Sequence, residues 1–506
     1  MSSRDNHNIE LRCYDFCNSS SLVSGVVLNS MRKSVLALFC VASAAAGCMF
    51  LETATLHAQQ VDTGGARRLN LTQVIEAARA KYPAIQAAQS QQRAAQGAVG
   101  VARTAYLPRT DLLWQTNRAT ANNIYGLLLP QGVISNISGP VINSDVSRSA
   151  WSSGGGALLS WQPFDFGVRG ARVKAAREGG EAAKQAAVLT ELQVAANAGS
   201  AFFDLTAAQQ LVTVAEANVK RNETFDKVVH VLVENSLRPG ADASQADAQL
   251  ALSRNQLIQA QTQVATHRSD VARYLQTSGG QIAIDSTQIL GPIPANDPET
   301  IPATTHPAVL QEGALIRQQE TQKRVLDRSY VPYFSTLGAV SGRGAGTDLS
   351  GNFPGGTAGL APSTFNWAAG VQVAFSAFDY FGLREQKRVQ TANVQAEHAR
   401  YSQALDDTSI AIEQARATVA GARQMAANTP IELSSAQASE QQQQARYRSG
   451  LATVVDVAAA EGVLAQAEAD DVIARLSVWR GELGVAAAQG DLQPFLKMLP
   501  QQPEGK

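Results

Sequence analysis

Two short motifs carry the acidic groups best placed to do chemistry. Thr453-Val454-Val455-Asp456 follows Gly450 and reads as a capping box, in which the first and last residues satisfy each other's backbone donors at a helix start. Ser244-Gln245-Ala246-Asp247 follows Pro239-Gly240 and reads the same way. A carboxylate in the first turn of a helix is favoured by the partial positive charge of the helix N-terminus. Asp456 and Asp247 therefore hold negative charge at the tips of two turns. The chemistry available to them is electrostatic, cation attraction beyond the cap itself, and does not involve bond making.

Nothing else in the chain supports catalysis. There is no Gly-x-Ser-x-Gly, no Cys/His pairing after residue 50, and no carboxylate pair off a helical face. Glu178, Glu181 and Asp406-Asp407 read as solvated helix charges. His7, His57, His230, His267, His306 and His398 are scattered, and no spacing suggests a metal. The glycine-rich stretch 342–359 runs from strand to strand and lacks a Gly-Lys-Ser/Thr ending, so it predicts a surface loop and no phosphate cradle. A net charge of −1 with 17% charged residues offers no basic surface to a nucleic acid. The expectation is a protein that is not an enzyme and needs no cofactor.

The elements that carry these motifs are unusually long. Between Pro163 and Pro239 there is no proline, and Val168 to Leu237 is dense in Ala, Gln, Glu, Leu and Val. A single helix of that length, at ~1.5 Å per residue, spans roughly 100 Å. A weaker copy runs from Leu383 to Tyr447, where Pro430 predicts a kink. After the turn at Arg238-Pro239-Gly240, a second helical pattern returns from Ala243 to Gln276. In it Leu250, Leu257, Val264 and Val271 fall seven apart, beside Ala246, Ser253, Ala260, His267 and Tyr274. Such rows mark a coiled-coil seam. Hydrophobic content is 45% but aromatics are only 6%, which suits thin seams better than a thick core.

The start of the chain reads as an export signal. Met31-Arg32-Lys33 is a basic n-region, Val35 to Gly47 is apolar, and Thr55-Leu56-His57-Ala58 offers cleavage before Gln59. Ala45-Ala46-Gly47-Cys48 is a competing site that resembles a lipoprotein box, with Cys48 the lipidated residue. Met1 and Met31 both stand as possible starts. Cys13, Cys17, Cys40 and Cys48 all precede residue 50, so no disulfide framework is expected. No later window reaches the ~18 apolar residues of a membrane helix, yet an exported chain can still cross a membrane as a barrel.

The remaining pattern is a duplication. Pro83 to Pro108 and Pro307 to Pro332 each span 25 residues, and each frame closes with a strand pair. In the second strand of the second pair, Phe365, Trp367, Ala369, Val371, Val373, Phe375 and Ala377 alternate with small or polar residues. In the earlier copy Trp151, Ala157, Leu159 and Trp161 alternate likewise. Period 2 over ~10 residues with terminal aromatics fits a lipid-facing barrel strand; alternation alone favours an ordinary half-buried strand, and the export signal, the lack of a helix to cover the sheet and the small polar inward residues shift the reading to the barrel. The strands exit through Phe164-Asp165-Phe166-Gly167 and Phe378-Asp379-Tyr380-Phe381-Gly382, where glycine permits the bend and Asp can cap the next helix. The expected organisation is an extension and signal over 1–58, a first repeat over 59–290, a linker over 291–305, a second repeat over 306–493 and a flexible tail over 494–506.

From the proline frames, the two corners and Tyr447-Arg448-Ser449-Gly450-Leu451-Ala452-Thr453-Val454-Val455-Asp456-Val457, the chain resembles the outer-membrane efflux protein family, the TolC-like channels. The resemblance covers about residues 69–490. It implies a mainly α fold, with a coiled-coil α-barrel and four strands per chain that enter a 12-stranded barrel shared by a homotrimer. It implies a channel in outer-membrane lipid, fed by a periplasmic adaptor and an inner-membrane pump of the RND or ABC class. By that resemblance Tyr447 helps close the entrance, with Asp456 and Asp247 as the tip carboxylates. Arg238, Pro239, Gly240, Arg448, Gly450 and Leu451 form the adaptor-docking tips. Trp151, Leu159, Trp161, Trp367, Val371, Val373 and Phe375 face lipid. Ala452 and Ala459 stand where the best-known member has an entrance Arg and a second ring Asp, which weakens any two-tier gate. The alternative reading is an exported coiled-coil scaffold that never enters a membrane.

Overall fold

The computed structural model describes residues 68–120, 149–278, 282–294, 299–346 and 355–500. The export segment, Cys48 and both processing sites lie outside them. The elements in order are β1 (Arg68–Leu69), α1 (Leu71–Lys81), α2 (Pro83–Thr104), β2 (Arg109–Thr120), β3 (Ser149–Trp161), α3 (Val168–Glu234), α4 (Gly240–Leu275) and β4 (Ala283–Ile284). A 3-10 turn at Ala303–Thr305 precedes α5 (Pro307–Asp327), β5 (Tyr333–Ala345), β6 (Thr364–Ala374), α6 (Asp379–Arg448), α7 (Val454–Gln489) and α8 (Gln493–Met498). The helix, strand, strand, long-helix, return-helix order appears twice.

Freedom from proline lets α3 run unbroken for 67 residues, about 100 Å at the α-helical rise. Its counterpart α6 runs for 70 residues and continues through Pro430. Each long helix lies along its return helix, α3 on α4 and α6 on α7. Along α4 the seam residues Leu250 and Val271 are buried, as are Ala246, Ser253 and Tyr274 of the companion row. Small residues set the closeness of these seams. A Cβ added at Gly481 of α7 would sit 2.7 Å from Val419 Cγ2 of α6, far inside van der Waals contact.

Among the described residues the thickest core lies where the middle of α3 meets α1, the far ends of α4 and α7, and the two-stranded parallel sheet β1–β4. Phe202, Phe203, Val74, Ile75, Trp479 and Phe495 are fully buried there. The C-terminal stretch departs from the expected flexible tail. Residues 493–498 form a helix, Phe495 packs edge-on to Trp479 at 6.4 Å between centroids, and Leu499 is buried. Two apolar side chains are enough to dock a segment that its polar composition disguises.

The two strand-to-helix corners also differ from each other. At the first, Asp165 accepts hydrogen bonds from Gly167 N at 3.2 Å and Arg169 N at 2.6 Å, with Phe166 and Gly167 both at positive φ. Arg169 is itself buried and donates to Ala105 O at 3.1 Å, tying α3 to the end of α2. At the second corner Asp379 already lies in the first turn of α6, and no side chain caps that helix.

Candidate functional site

Two regions hold the residues singled out from sequence: the four-stranded sheet and the paired helix turns. The sheet order is β2-β3-β5-β6, all antiparallel. Residues directly opposite across an antiparallel pair point to the same face, so the register sorts the side chains. Trp114 pairs with Gly155, Leu112 with Ala157, Leu159 with Gly338, Trp161 with Thr336, and Val340 with Ala157 and Trp367. Val371 and Val373 fall on that same face, opposite Thr336 and Phe334, and Trp151 does so opposite Arg118. Phe375 lies just past the end of β6. On the other face are Asp111, Gln115, Asn117, Ser152, Ser160, Ser335, Ser341, Asn366 and Gln372.

One side of the sheet is thus mainly apolar and the other carries most of the polar side chains, interspersed with Leu113, Leu158 and Leu337, and among the described residues no helix covers the apolar side. Leu112, Trp114, Val340, Trp367 and Val371 are each 62–80% exposed. Exposed apolar faces of this extent need lipid or a partner. At the helix end of the sheet Tyr330 stacks edge-on with Phe375 at 5.1 Å and Tyr380 at 5.5 Å, and Phe166 sits 4.7 Å from Phe164. Aromatic girdles of this kind flank the apolar band of membrane barrels. Leu112, Trp114 and Val340 escaped the sequence reading, although their period-2 spacing was available. Among the described residues no helix is long and apolar enough to cross a membrane.

At the far ends of the helices the chain turns at 235–239 and 449–453. After α6, Gly450 takes a left-handed φ of 77° while Leu451 N donates to Arg446 O at 2.8 Å and Gly450 N to Tyr447 O at 3.0 Å. That double bond pattern is a Schellman closure. The turn after α3 is built identically, with Ser236 at φ 58°, Leu237 N donating to Leu232 O and Ser236 N to Val233 O, both at 2.9 Å. The structural partner of Gly450 is therefore Ser236. Gly240, matched to it by sequence, is instead the first residue of α4.

This correction moves the carboxylates. Pro239 caps α4 and Thr453 caps α7, so the counterpart of Asp456 is Asp242 (456 − 242 = 214). The expected box at Ser244–Asp247 does not form, because Ser244 already lies inside a helix that begins at Gly240. Asp247 faces α3, where its Oδ1 sits 3.3 Å from His230 Nε2. The second box is complete: Thr453 N and Oγ1 both donate to Asp456 Oδ2 at 2.7 Å, and Asp456 N donates to Thr453 Oγ1 at 3.3 Å. Those bonds to Thr453 hold the Asp456 carboxyl below its usual pKa, and the side chain is exposed.

Tyr447 and Arg238, 209 residues apart, meet between the two tips. The Arg238 guanidinium lies 4.5 Å above the Tyr447 ring, and its Nη2 donates to Tyr447 O at 2.7 Å. Phe225 closes on the same ring edge-on at 5.2 Å, with Val229, Ala246, Val454 and Val457 completing the cluster. Burial, then the Asp242 carboxylate, pushes the Tyr447 hydroxyl up in pKa. Arg448, Gly450 and Leu451 are exposed at the second tip, as Pro239 and Gly240 are at the first. Leu451 is 70% exposed, and its structural partner Leu237, not anticipated, is 67% exposed.

Two turns and more above the tip, the seams carry buried charge. Glu461 of α7 has no exposed surface, and Glu440 of α6 is 7% exposed beside it. Arg221 gives both terminal nitrogens to Glu468, at 3.0 and 2.9 Å. Gln444 donates to Glu440, which leaves both oxygens of Glu461 without a donor. Burial, helped by the Glu440 carboxylate, lifts the Glu461 pKa from 4.5 to about 7. Sequence reading missed this group because a Glu in an Ala-rich helix looks solvated.

Solved structures share this architecture. The Campylobacter jejuni CmeC outer membrane channel superposes with a TM-score of 0.67 at 16% identity, covering 83% of this chain and 85% of that one. The outer membrane protein VceC from Vibrio cholerae gives 0.66 at 17% identity, covering 83% and 96%. The open state of the Neisseria gonorrhoeae MtrE outer membrane channel gives 0.64 at 16% identity, covering 83% and 89%. At these identities the likeness establishes the fold. A search among curated protein sequences found no match. The profile described as outer membrane efflux protein matches residues 74–276 and 306–491, which take in both strand pairs and both helical hairpins; the chain belongs to the outer membrane efflux protein family.

Proposed function

We propose that three copies of the chain form one continuous conduit that carries efflux substrates across the outer membrane. A periplasmic adaptor and an inner-membrane pump of the RND or ABC class would load it. The observation that carries this reading is the four-stranded sheet with one apolar face and two unpaired edges. Among the described residues β2 and β6 each have a single hydrogen-bonded neighbour. Open edges in a membrane leave backbone groups unsatisfied, so β2 of one copy must pair with β6 of the next. Three copies supply 12 strands, an even number that closes a barrel with the polar face inward. The paired long helices then continue the wall as a hollow tube. Exposed Leu237 and Leu451, with Arg238, Pro239, Gly240, Arg448 and Gly450 around them, offer the adaptor apolar knobs in a polar rim.

At the tube entrance three copies of Asp456 would ring the axis, held ionised by their own caps, while the Arg238–Tyr447 clamp fixes the tips against each other. Such a ring favours cations over anions. Single-channel recording of Asp456→Asn tests this. Asn keeps much of the cap, so stability should change little, while cation preference falls clearly. Unchanged selectivity in an intact channel would reduce Asp456 to a helix cap.

A further inference from the structure

The first helical hairpin brings together Asp247, read from sequence as a tip carboxylate, and two side chains that sequence spacing does not group with it. Asp226 and His230 stand one turn apart on α3, on one face. Asp247 of α4 meets them from across the seam, and the ligand-capable atoms of all three lie within 4.8 Å of one another. We propose that Asp226, His230 and Asp247 bind a divalent transition-metal ion, of the class of Zn2+, between the two helices near the tip.

Geometry supports the assignment. His230 Nε2 is 3.3 Å from Asp247 Oδ1 and 3.6 Å from Asp226 Oδ1. A tetrahedral zinc ion with bonds of about 2.0–2.2 Å holds neighbouring ligand atoms about 3.3–3.6 Å apart. Two of the three edges are already at that length. The third closes by rotation of Asp247, whose side chain is 61% exposed and free to turn. Asp226 Oδ1 is buried and accepts no hydrogen bond; His230 Nε2 approaches it at 3.6 Å, beyond hydrogen-bond length, which leaves its lone pairs available to an ion held between them.

The donor set is one imidazole and two carboxylates. It suits zinc, copper or nickel better than calcium or magnesium, which take oxygen ligands alone. Three protein ligands with a solvent-facing fourth position describe an open, exchangeable site. An ion bound there would tie α3 to α4 about two turns above Arg238, the residue that clamps Tyr447. It would thus stiffen the hairpin that fixes the entrance. The proposal stands on this chain's own side chains and does not depend on which pump or adaptor it serves.

The test uses the full-length protein in detergent, stripped with a chelator and titrated with Zn2+ by calorimetry, then with Co2+ by visible absorption. One ion per chain is expected, with the ligand-field bands of a nitrogen-containing, four-coordinate Co2+ site. Both signals should disappear in His230→Ala and weaken at least tenfold in Asp226→Asn, with circular dichroism and assembly unchanged. His230→Gln takes the place of His230→Ala should the latter fail to assemble. Asp456→Asn should bind as the parent does. No stoichiometric ion in the parent protein would overturn the proposal, as would full binding in the His230 variant. Loss of the ion in Asp456→Asn alone would move the site to the entrance ring and equally overturn it.

Discussion

Glu461→Gln is expected to leave stability unchanged below pH 4.5 and to raise it by on the order of 3 kcal/mol per chain at pH 8. The buried carboxyl prefers to keep its proton in the folded chain, with a pKa of about 7 against 4.5 when free. Its stabilising contribution is therefore full below pH 4.5. It declines as pH rises towards 7, and above 7 it is lost, because the folded state must then bury a charge that the unfolded state carries in water. A difference of about 2.5 pKa units converts to about 3 kcal/mol. Arg221 and Gln444 offset the charge only in part, because Arg221 is paired with Glu468 and Gln444 with Glu440, while Glu440 repels it. Gln removes the titration while preserving shape. Denaturant unfolding of parent and variant across pH 4–8 should give curves that coincide in acid and separate above neutrality. Parallel curves at every pH would show that Glu461 is solvated in the assembled protein.

A second large effect is expected on the sheet. Val371→Arg sets a charge on the apolar face of β6, where Val371 is 74% exposed in the single chain. On the lipid face of a barrel that charge costs about 2–4 kcal/mol near the membrane midplane and less towards its edges. The loss should appear as a lower denaturant midpoint in reconstituted vesicles and a smaller membrane-inserted fraction. Gln372→Arg, one residue along on the polar face, should be nearly neutral. Equal effects of the two would deny that the faces meet different solvents.

The parts of this molecule that could be read from its residues are those governed by local rules. An alanine-rich stretch without proline is a helix wherever it lies, and α3 extends as its composition implies. Trp367, Val371 and Val373 alternate with Asn366 and Gln372, and the period alone assigns their faces. Phe-Asp-Phe-Gly forms its corner through contacts within five residues. Failures came where a local rule admitted two outcomes. Ser244–Asp247 satisfies a capping pattern, yet Pro239 starts the helix a full turn earlier and strands that pattern inside it. Ser236 adopts the left-handed conformation usually left to glycine, so aligning the turns by glycine paired Gly240 with Gly450 and Asp247 with Asp456. Other features needed the third dimension. His230 meets Asp247 only because α3 and α4 fold back in one particular register, and Arg238 reaches Tyr447 across 209 residues. Glu461 looks like any surface acid until α6 is laid against it.

The central claim, that this sheet is a membrane wall with lipid on one side and water on the other, is tested most directly by probing alternate positions of one strand. All four native cysteines precede residue 50, so with each changed to serine the rest of the chain carries no thiol. Single substitutions Phe365→Cys, Trp367→Cys and Val371→Cys, set against Asn366→Cys and Gln372→Cys, would each carry a spin label in reconstituted protein. Relaxation by oxygen dissolved in lipid and by a water-soluble nickel chelate reads the surroundings of each site. The account predicts a period of two, with oxygen dominating at 365, 367 and 371 and the chelate at 366 and 372. Chelate access at every position, or the opposite parity, would contradict it.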